Sequence, residues 1–179
     1  MSKETINLAR LEQYLNSAAP GMGTLTSIEK FIGGQSNPTF LLQSVNGSYV
    51  LRSKPTGVLL KSAHAVEREF RVMQALEGSA VPVPHVLCLC EDPGVIGSIF
   101  FIMSYEEGQI FWDPALPELP EAKRSEIYDH EIAVLAQLHS LQPASIGLTD
   151  FGRPGNYFER QLRRWTDQYR ASETVHFEA

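Results

Sequence analysis

Three groups of residues in this chain have types and spacings that could do chemistry. The first is Ile32-Gly33-Gly34-Gln35-Ser36-Asn37-Pro38-Thr39-Phe40, where two glycines allow a sharp bend and close backbone approach, and Ser36, Asn37 and Thr39 offer hydroxyl and amide groups to an oxygen-rich anion. The same letters also suit an ordinary hairpin turn. The second group is Arg52 and Lys54, two apart and so on one face of a strand. The third is Glu67 and Glu69. On a helical wheel starting at Val66, the apolar arc runs from roughly 280° at Leu76 through roughly 340° at Met73 to roughly 40° at Phe70. Glu69 falls inside it at roughly 300°, whereas Glu67 lies outside at roughly 100°. A carboxylate on an apolar face needs a cation. Arg52, in the body of its strand, is the favoured partner, with Lys54 at the strand end free to reach water; the other reading is a Glu69 that itself snorkels to solvent.

Positioning these groups requires a sheet and a helix. Ile6, Leu8, Leu11, Tyr14 and Leu15 recur at helical spacing before Pro20-Gly21. Strands are expected at Leu25 to Ile32, Thr39 to Val45 and Ser48 to Ser53, with Asn46-Gly47 as a hairpin turn, forming an antiparallel meander. A helix is expected over Ala63 to Glu77, capped by Ser62. Val86 to Cys90 and Ile99 to Met103 complete a five-stranded sheet. Two longer helices are expected beyond the Pro114, Pro117 and Pro120 loop, at Ala122 to Leu141 and roughly Asn156 to Ala171. The first is apolar around much of its circumference, as in a buried helix, and the second carries a core-packing stripe of Phe158, Leu162, Trp165 and Tyr169.

Composition sets the bounds. With 179 residues, 43% hydrophobic and 20% charged, the chain has the makeup of one or two globular domains. A net charge of −6 argues against broad binding to nucleic acid or anionic membrane, and no apolar run reaches membrane-spanning length. Lacking a signal-peptide pattern at Met1-Ser2-Lys3-Glu4, the chain is expected in the cytoplasm. The two cysteines, Cys88 and Cys90, share a strand face and are expected to be buried thiols; a metal site with His85 is the alternative.

The order of these features resembles the N-lobe of a protein kinase, and the local sequences sharpen this. Gly33 to Phe40, Tyr49-Val50-Leu51-Arg52, Arg68-Glu69-Phe70-Arg71-Val72-Met73, Phe101-Ile102-Met103 and Leu148-Thr149-Asp150-Phe151-Gly152-Arg153-Pro154 together resemble the aminoglycoside phosphotransferase-like small-molecule kinases. The similarity is strongest to the branch that also occurs fused to acyl-CoA dehydrogenase domains. It implies an α+β fold, with a nucleotide-binding lobe over residues 1–105 and a hinge, linker and the start of a helical lobe over residues 106–179. It implies ATP as cofactor and a small-molecule hydroxyl as acceptor. Gly33, Gly34, Gln35, Ser36, Asn37 and Thr39 would cover the phosphates. Arg52 would hold the α- and β-phosphates while Glu69 orients it, and Arg52 stands where most kinases have lysine. Met103 would back the adenine, with the Ser104 carbonyl and Glu106 amide on its edge.

Asp150-Phe151-Gly152 spells a kinase metal-binding triplet, but no His-x-Asp-x-x-x-x-Asn loop precedes it, so no metal role is expected there. In the family, Mg²⁺ and the acceptor hydroxyl are served by a catalytic His-x-Asp loop and a later aspartate, neither of which is found between Met1 and Ala179. The expectation is therefore an N-terminal portion with little catalysis alone, whose last helices drive self-association. The competing expectation is a noncatalytic nucleotide-binding or interaction module.

Overall fold

The computed structural model of the chain describes residues 6–32, 37–55, 64–152 and 155–173. It contains two compact units, Met1–Gln142 and Pro143–Ala179. The first opens with helix α1, Leu8–Ala18, whose Asn7 cap accepts a hydrogen bond from the Arg10 amide. Leu11 and Leu15, one helical turn apart, are its buried residues. A single 3₁₀ turn, Pro20–Met22, then leads into the sheet through Gly23. Only glycine suits that position, because φ is +72° and a Cβ would lie 2.6 Å from Val45.

The sheet comprises β1 (Leu25–Lys30), β2 (Thr39–Ser44), β3 (Gly47–Ser53), β4 (Val86–Cys90) and β5 (Phe100–Ser104). Helix α2, Val66–Leu76, lies in sequence between β3 and β4. All pairings are antiparallel and the spatial order is β1-β2-β3-β5-β4. The expected α+β class and five-stranded sheet are present. β5 thus sits inside the sheet, and its unbroken apolar run is buried on both faces, with Phe100, Phe101 and Ile102 fully inaccessible.

Alternation along the strands divides the core in two. Phe40, Leu42, Leu51, Cys88, Cys90, Phe100 and Ile102 pack with Leu11, Leu15 and Met22 of the α1 region. Phe101 and Val86 pack instead with Val66, Phe70 and Met73 of α2. A bulge between Val86 and Cys88 allows β4 to serve both sides.

Several boundaries differ from expectation for local reasons. Asn46-Gly47 is not the centre of its turn: Ser44 pairs with Gly47, leaving Val45-Asn46 as the connection, and the Asn46 amide reaches back to the Gly21 carbonyl. Helix α2 begins at Val66, since His64 has φ +59°, a left-handed conformation that a helix cannot continue through. Its first residue is flanked by Ala65, which makes no side-chain cap, and the expected cap Ser62 lies outside the described residues.

Helices α3 (Glu121–Ser140) and α4 (Tyr157–Ser172) form close to where they were expected, but neither is buried. On α4, Phe158 is 85% exposed and Leu162 72%, so its stripe is a surface feature of this chain, not a core. On α3, Ile132 and Leu135 are likewise exposed. Periodicity alone identifies an apolar face, whereas burial needs a second element to cover it. Among the described residues, no helix is long and apolar enough to cross a membrane.

Cys88 and Cys90 are buried free thiols on the α1 side of the sheet. Burial, reinforced by Cys90, pushes the Cys88 thiol from 9.0 up to about 11. Burial also raises the Tyr14 phenol, whose hydroxyl donates to the Leu89 carbonyl at 3.1 Å. Below pH 9 the Cys88 thiol is protonated whether folded or unfolded. Between pH 9 and about 11 only the unfolded chain loses that proton, so stability falls across this window. Urea denaturation at pH 8.5 and 10.5 should show the loss, and Cys88→Ala should reduce it; an unchanged pH dependence in the variant would contradict the assignment.

Candidate functional site

The site lies on the α2 side of the sheet. Arg52 on β3 is flanked by Thr39 of β2 and Phe101 of β5, its direct cross-strand neighbours. Its Nε donates to Glu69 Oε2, and its second terminal nitrogen lies 3.4 Å from Glu69 Oε1. The remaining terminal nitrogen donates to Thr39 Oγ1 at 3.1 Å. The ion pair anticipated from the helical wheel is therefore formed, and water does not take the place of the cation. With side chains 28% and 32% exposed, the pair borders solvent and is not sealed in the core.

Asn37 is placed differently from a residue offered to an outside anion. It is buried, its side-chain amide donates to Glu69 Oε1 at 2.8 Å, and its Oδ1 lies 2.9 Å from His64 Nδ1. Its backbone carbonyl accepts from Thr39 Oγ1 at 3.1 Å. Thr39 is similarly turned to Arg52, so both side chains support the ion pair. His64 escaped sequence reasoning because Ser62 looked like the better helix start; its one signal was a polar ring within two turns of Glu69.

Lys54 also departs from expectation. It does not run to water but binds Glu67 Oε1 at 3.0 Å. Glu67 and Glu69 lie on opposite flanks of α2, so the two cations of one strand face straddle its first turn. That turn is also where the helix dipole favours carboxylates. Among the described residues, the second Glu67 oxygen has no hydrogen-bond partner.

At the far end of β5, half-buried Met103 packs against the Val66, Val86 and Phe101 cluster. Ser104 Oγ accepts from the His85 amide at 2.9 Å and donates to the Glu106 carboxylate. His85 Nδ1 and the Val86 amide both meet Glu77 Oε1, at 2.8 and 2.7 Å, which ties the end of α2 to the start of β4. Gly33, Gly34, Gln35 and Ser36 lie outside the described residues. The hairpin is closed beneath them by the Phe31 amide on the Thr39 carbonyl, 3.0 Å.

Chemically, the cluster presents a guanidinium already oriented by a carboxylate and a hydroxyl. Of its five N–H groups, the bonds to Glu69 and Thr39 account for three, leaving two donors without a partner among the described residues, which an anion could take. A strand cation paired to a helix carboxylate on a five-stranded antiparallel sheet is the arrangement of a kinase-like fold. Residues 27–178 match the phosphotransferase enzyme family, APH, and the chain belongs to that family.

The chain is 53% identical over 150 residues to Probable acyl-CoA dehydrogenase IBR3 of Arabidopsis thaliana, covering 81% of this chain and 18% of that protein. Against mouse acyl-CoA dehydrogenase family member 10 the identity is 46% over 168 residues, or 92% and 15% of the two chains. Against human acyl-CoA dehydrogenase family member 11 it is 45% over 167 residues, or 90% and 21%. A crystal structure from Ralstonia eutropha JMP134, provisionally assigned as an aminoglycoside phosphotransferase, superposes with a TM-score of 0.78 at 44% identity, over 96% of this chain and 50% of that one. The chain thus spans about a fifth or less of these curated relatives and half of the solved one.

Proposed function

We propose that this chain binds ATP as the phosphoryl donor of a kinase that acts on a hydroxyl group of a small molecule. The observation that carries the reading is the Arg52 guanidinium, held by Glu69 and Thr39 with N–H donors to spare among the described residues. In this proposal residues 1–105 form the nucleotide lobe and residues 106–179 the hinge and first part of the substrate lobe. Arg52 holds the α- and β-phosphates, and the backbone at Gly33, Gly34, Gln35 and Ser36 covers them. The Ser104 carbonyl and Glu106 amide receive the adenine edge, with Met103 behind it. Asn37 and Thr39 act by holding the ion pair. When bound, ATP supplies the transferable phosphoryl group, and these residues bind and orient it.

Acceptor activation and Mg²⁺ binding are assigned to no residue of this chain. The acyl-CoA dehydrogenase names of several relatives support a hydroxyacyl compound over an antibiotic as acceptor, by analogy alone. Self-association through the exposed faces of α3 and α4 is part of the same proposal.

Calorimetric titration with ATP, ADP and adenosine tests the nucleotide assignment directly. Saturable binding that weakens in the order ATP, ADP, adenosine is expected. No saturable binding of any of the three would remove the proposal, and equal binding of all three would remove the phosphate contact.

A further inference from the structure

We propose that His64 and Asn37 form a positioning relay that locks Glu69, and through it Arg52, in the orientation needed to receive phosphate. The phosphate half of this inference rests on the nucleotide reading above; the locking of Arg52 does not.

Asn37 touches the Arg52–Glu69 pair at both ends. Its side-chain nitrogen donates to Glu69, while its backbone carbonyl accepts from Thr39 Oγ1, which in turn accepts from Arg52. Arg52, Glu69, Asn37 and Thr39 thereby close a ring of hydrogen bonds and one ion pair. The ring is anchored to β3 by the Ser53 amide on the Pro38 carbonyl at 2.9 Å.

Glu69 determines which way Asn37 faces, and His64 holds it there. An ionised carboxylate only accepts hydrogen bonds, so the Asn37 nitrogen must face Glu69 and its oxygen must face His64. His64 Nδ1 must then carry a proton and donate across the 2.9 Å contact. A reversed Asn37 amide would set its oxygen against the Glu69 carboxylate. His64 keeps this position in a left-handed backbone conformation, with its carbonyl accepting the Val66 amide at 2.9 Å at the entry to α2. A non-glycine residue held at positive φ is retained where surrounding contacts over-determine it. The relay therefore ties three elements together: the end of the Gly-rich turn, the strand cation and the first turn of α2.

His64→Leu removes the donor and keeps bulk, His64→Asn restores an N–H close to the Nδ1 position, and Asn37→Asp removes the donor to Glu69. In nucleotide-free protein, the ¹⁵N-edited resonance of the Arg52 Nε–H should be protected from solvent exchange in the wild type. It should exchange about tenfold faster in His64→Leu and Asn37→Asp and recover in His64→Asn. NMR titration should show ATP affinity lowered about tenfold in the first two variants, adenosine affinity unchanged, and ATP affinity restored in His64→Asn. Unchanged Arg52 exchange in both His64→Leu and Asn37→Asp would overturn the relay, as would equal losses of ATP and adenosine binding. A wild type that binds no ATP would remove the nucleotide reading, leaving the exchange measurement to decide the relay by itself.

Discussion

Replacing Arg52 with alanine is expected to weaken ATP binding by about 10- to 100-fold, the range for losing hydrogen bonds to a charged group. The direct loss is the guanidinium proposed to face the phosphates. A second consequence is local: Glu69 keeps the Asn37 amide as its remaining described donor, and Thr39 Oγ1 loses the Arg52 N–H. Because the Glu69 side chain is 32% exposed, it can recover hydration, so the stability loss should be modest, about 1–2 kcal/mol. Arg52→Lys separates charge from geometry. It restores a cation but not the fork that binds Glu69 and Thr39 together, so binding should recover only in part. Calorimetry on the three proteins, with thermal unfolding of each, checks both effects. Wild-type affinity in Arg52→Ala would rule out the phosphate contact.

The largest expected stability effect lies one strand away. Phe101 is fully buried on β5, directly across from Arg52, and meets Phe70 of α2 edge to face with centroids 5.9 Å apart. Phe101→Ala removes the central contact between α2 and the sheet and should cost about 3–5 kcal/mol, lowering the melting temperature by about 10 °C or more. Since α2 carries Glu69, ATP binding should suffer too, through displacement of the helix and not loss of a ligand contact. Phe158→Ala on α4 is the control, because a side chain 85% exposed has little packing to lose and should change stability by no more than about 0.5 kcal/mol. Differential scanning calorimetry of both variants makes the comparison. Equal effects would contradict the assignment of the core to the sheet.

The ion pair at the centre of the candidate site is legible in the sequence. Two residues, Arg52 in a strand and Glu69 on an apolar helix face, could be matched because burying an unpaired carboxylate is costly and Arg52 was the best-placed cation. The sequence misleads at Lys54, because a strand-end lysine next to Pro55 looks free to reach water and nothing local indicates that Glu67 comes within 3.0 Å of it. In sequence Asn37 suggests an anion contact, because its amide follows the Gly33-Gly34 turn together with the Ser36 and Thr39 hydroxyls. Its actual partners, Glu69 and His64, are 32 and 27 residues away in the chain.

What the sequence determined by itself is the local layer. It specified five strands by alternation and apolar runs, α2 by its three- and four-residue spacing, and the side of that helix on which Glu69 would sit. Tertiary structure decided how those pieces share space. It put β5 between β3 and β4, so that Phe101 lies beside Arg52 under α2, and it left the apolar stripes of α3 and α4 exposed. It also turned Asn37 inward against His64. The physical reason is range: periodicity and capping act within a few residues, whereas strand order, ion-pair choice and burial depend on which distant segments arrive at the same place.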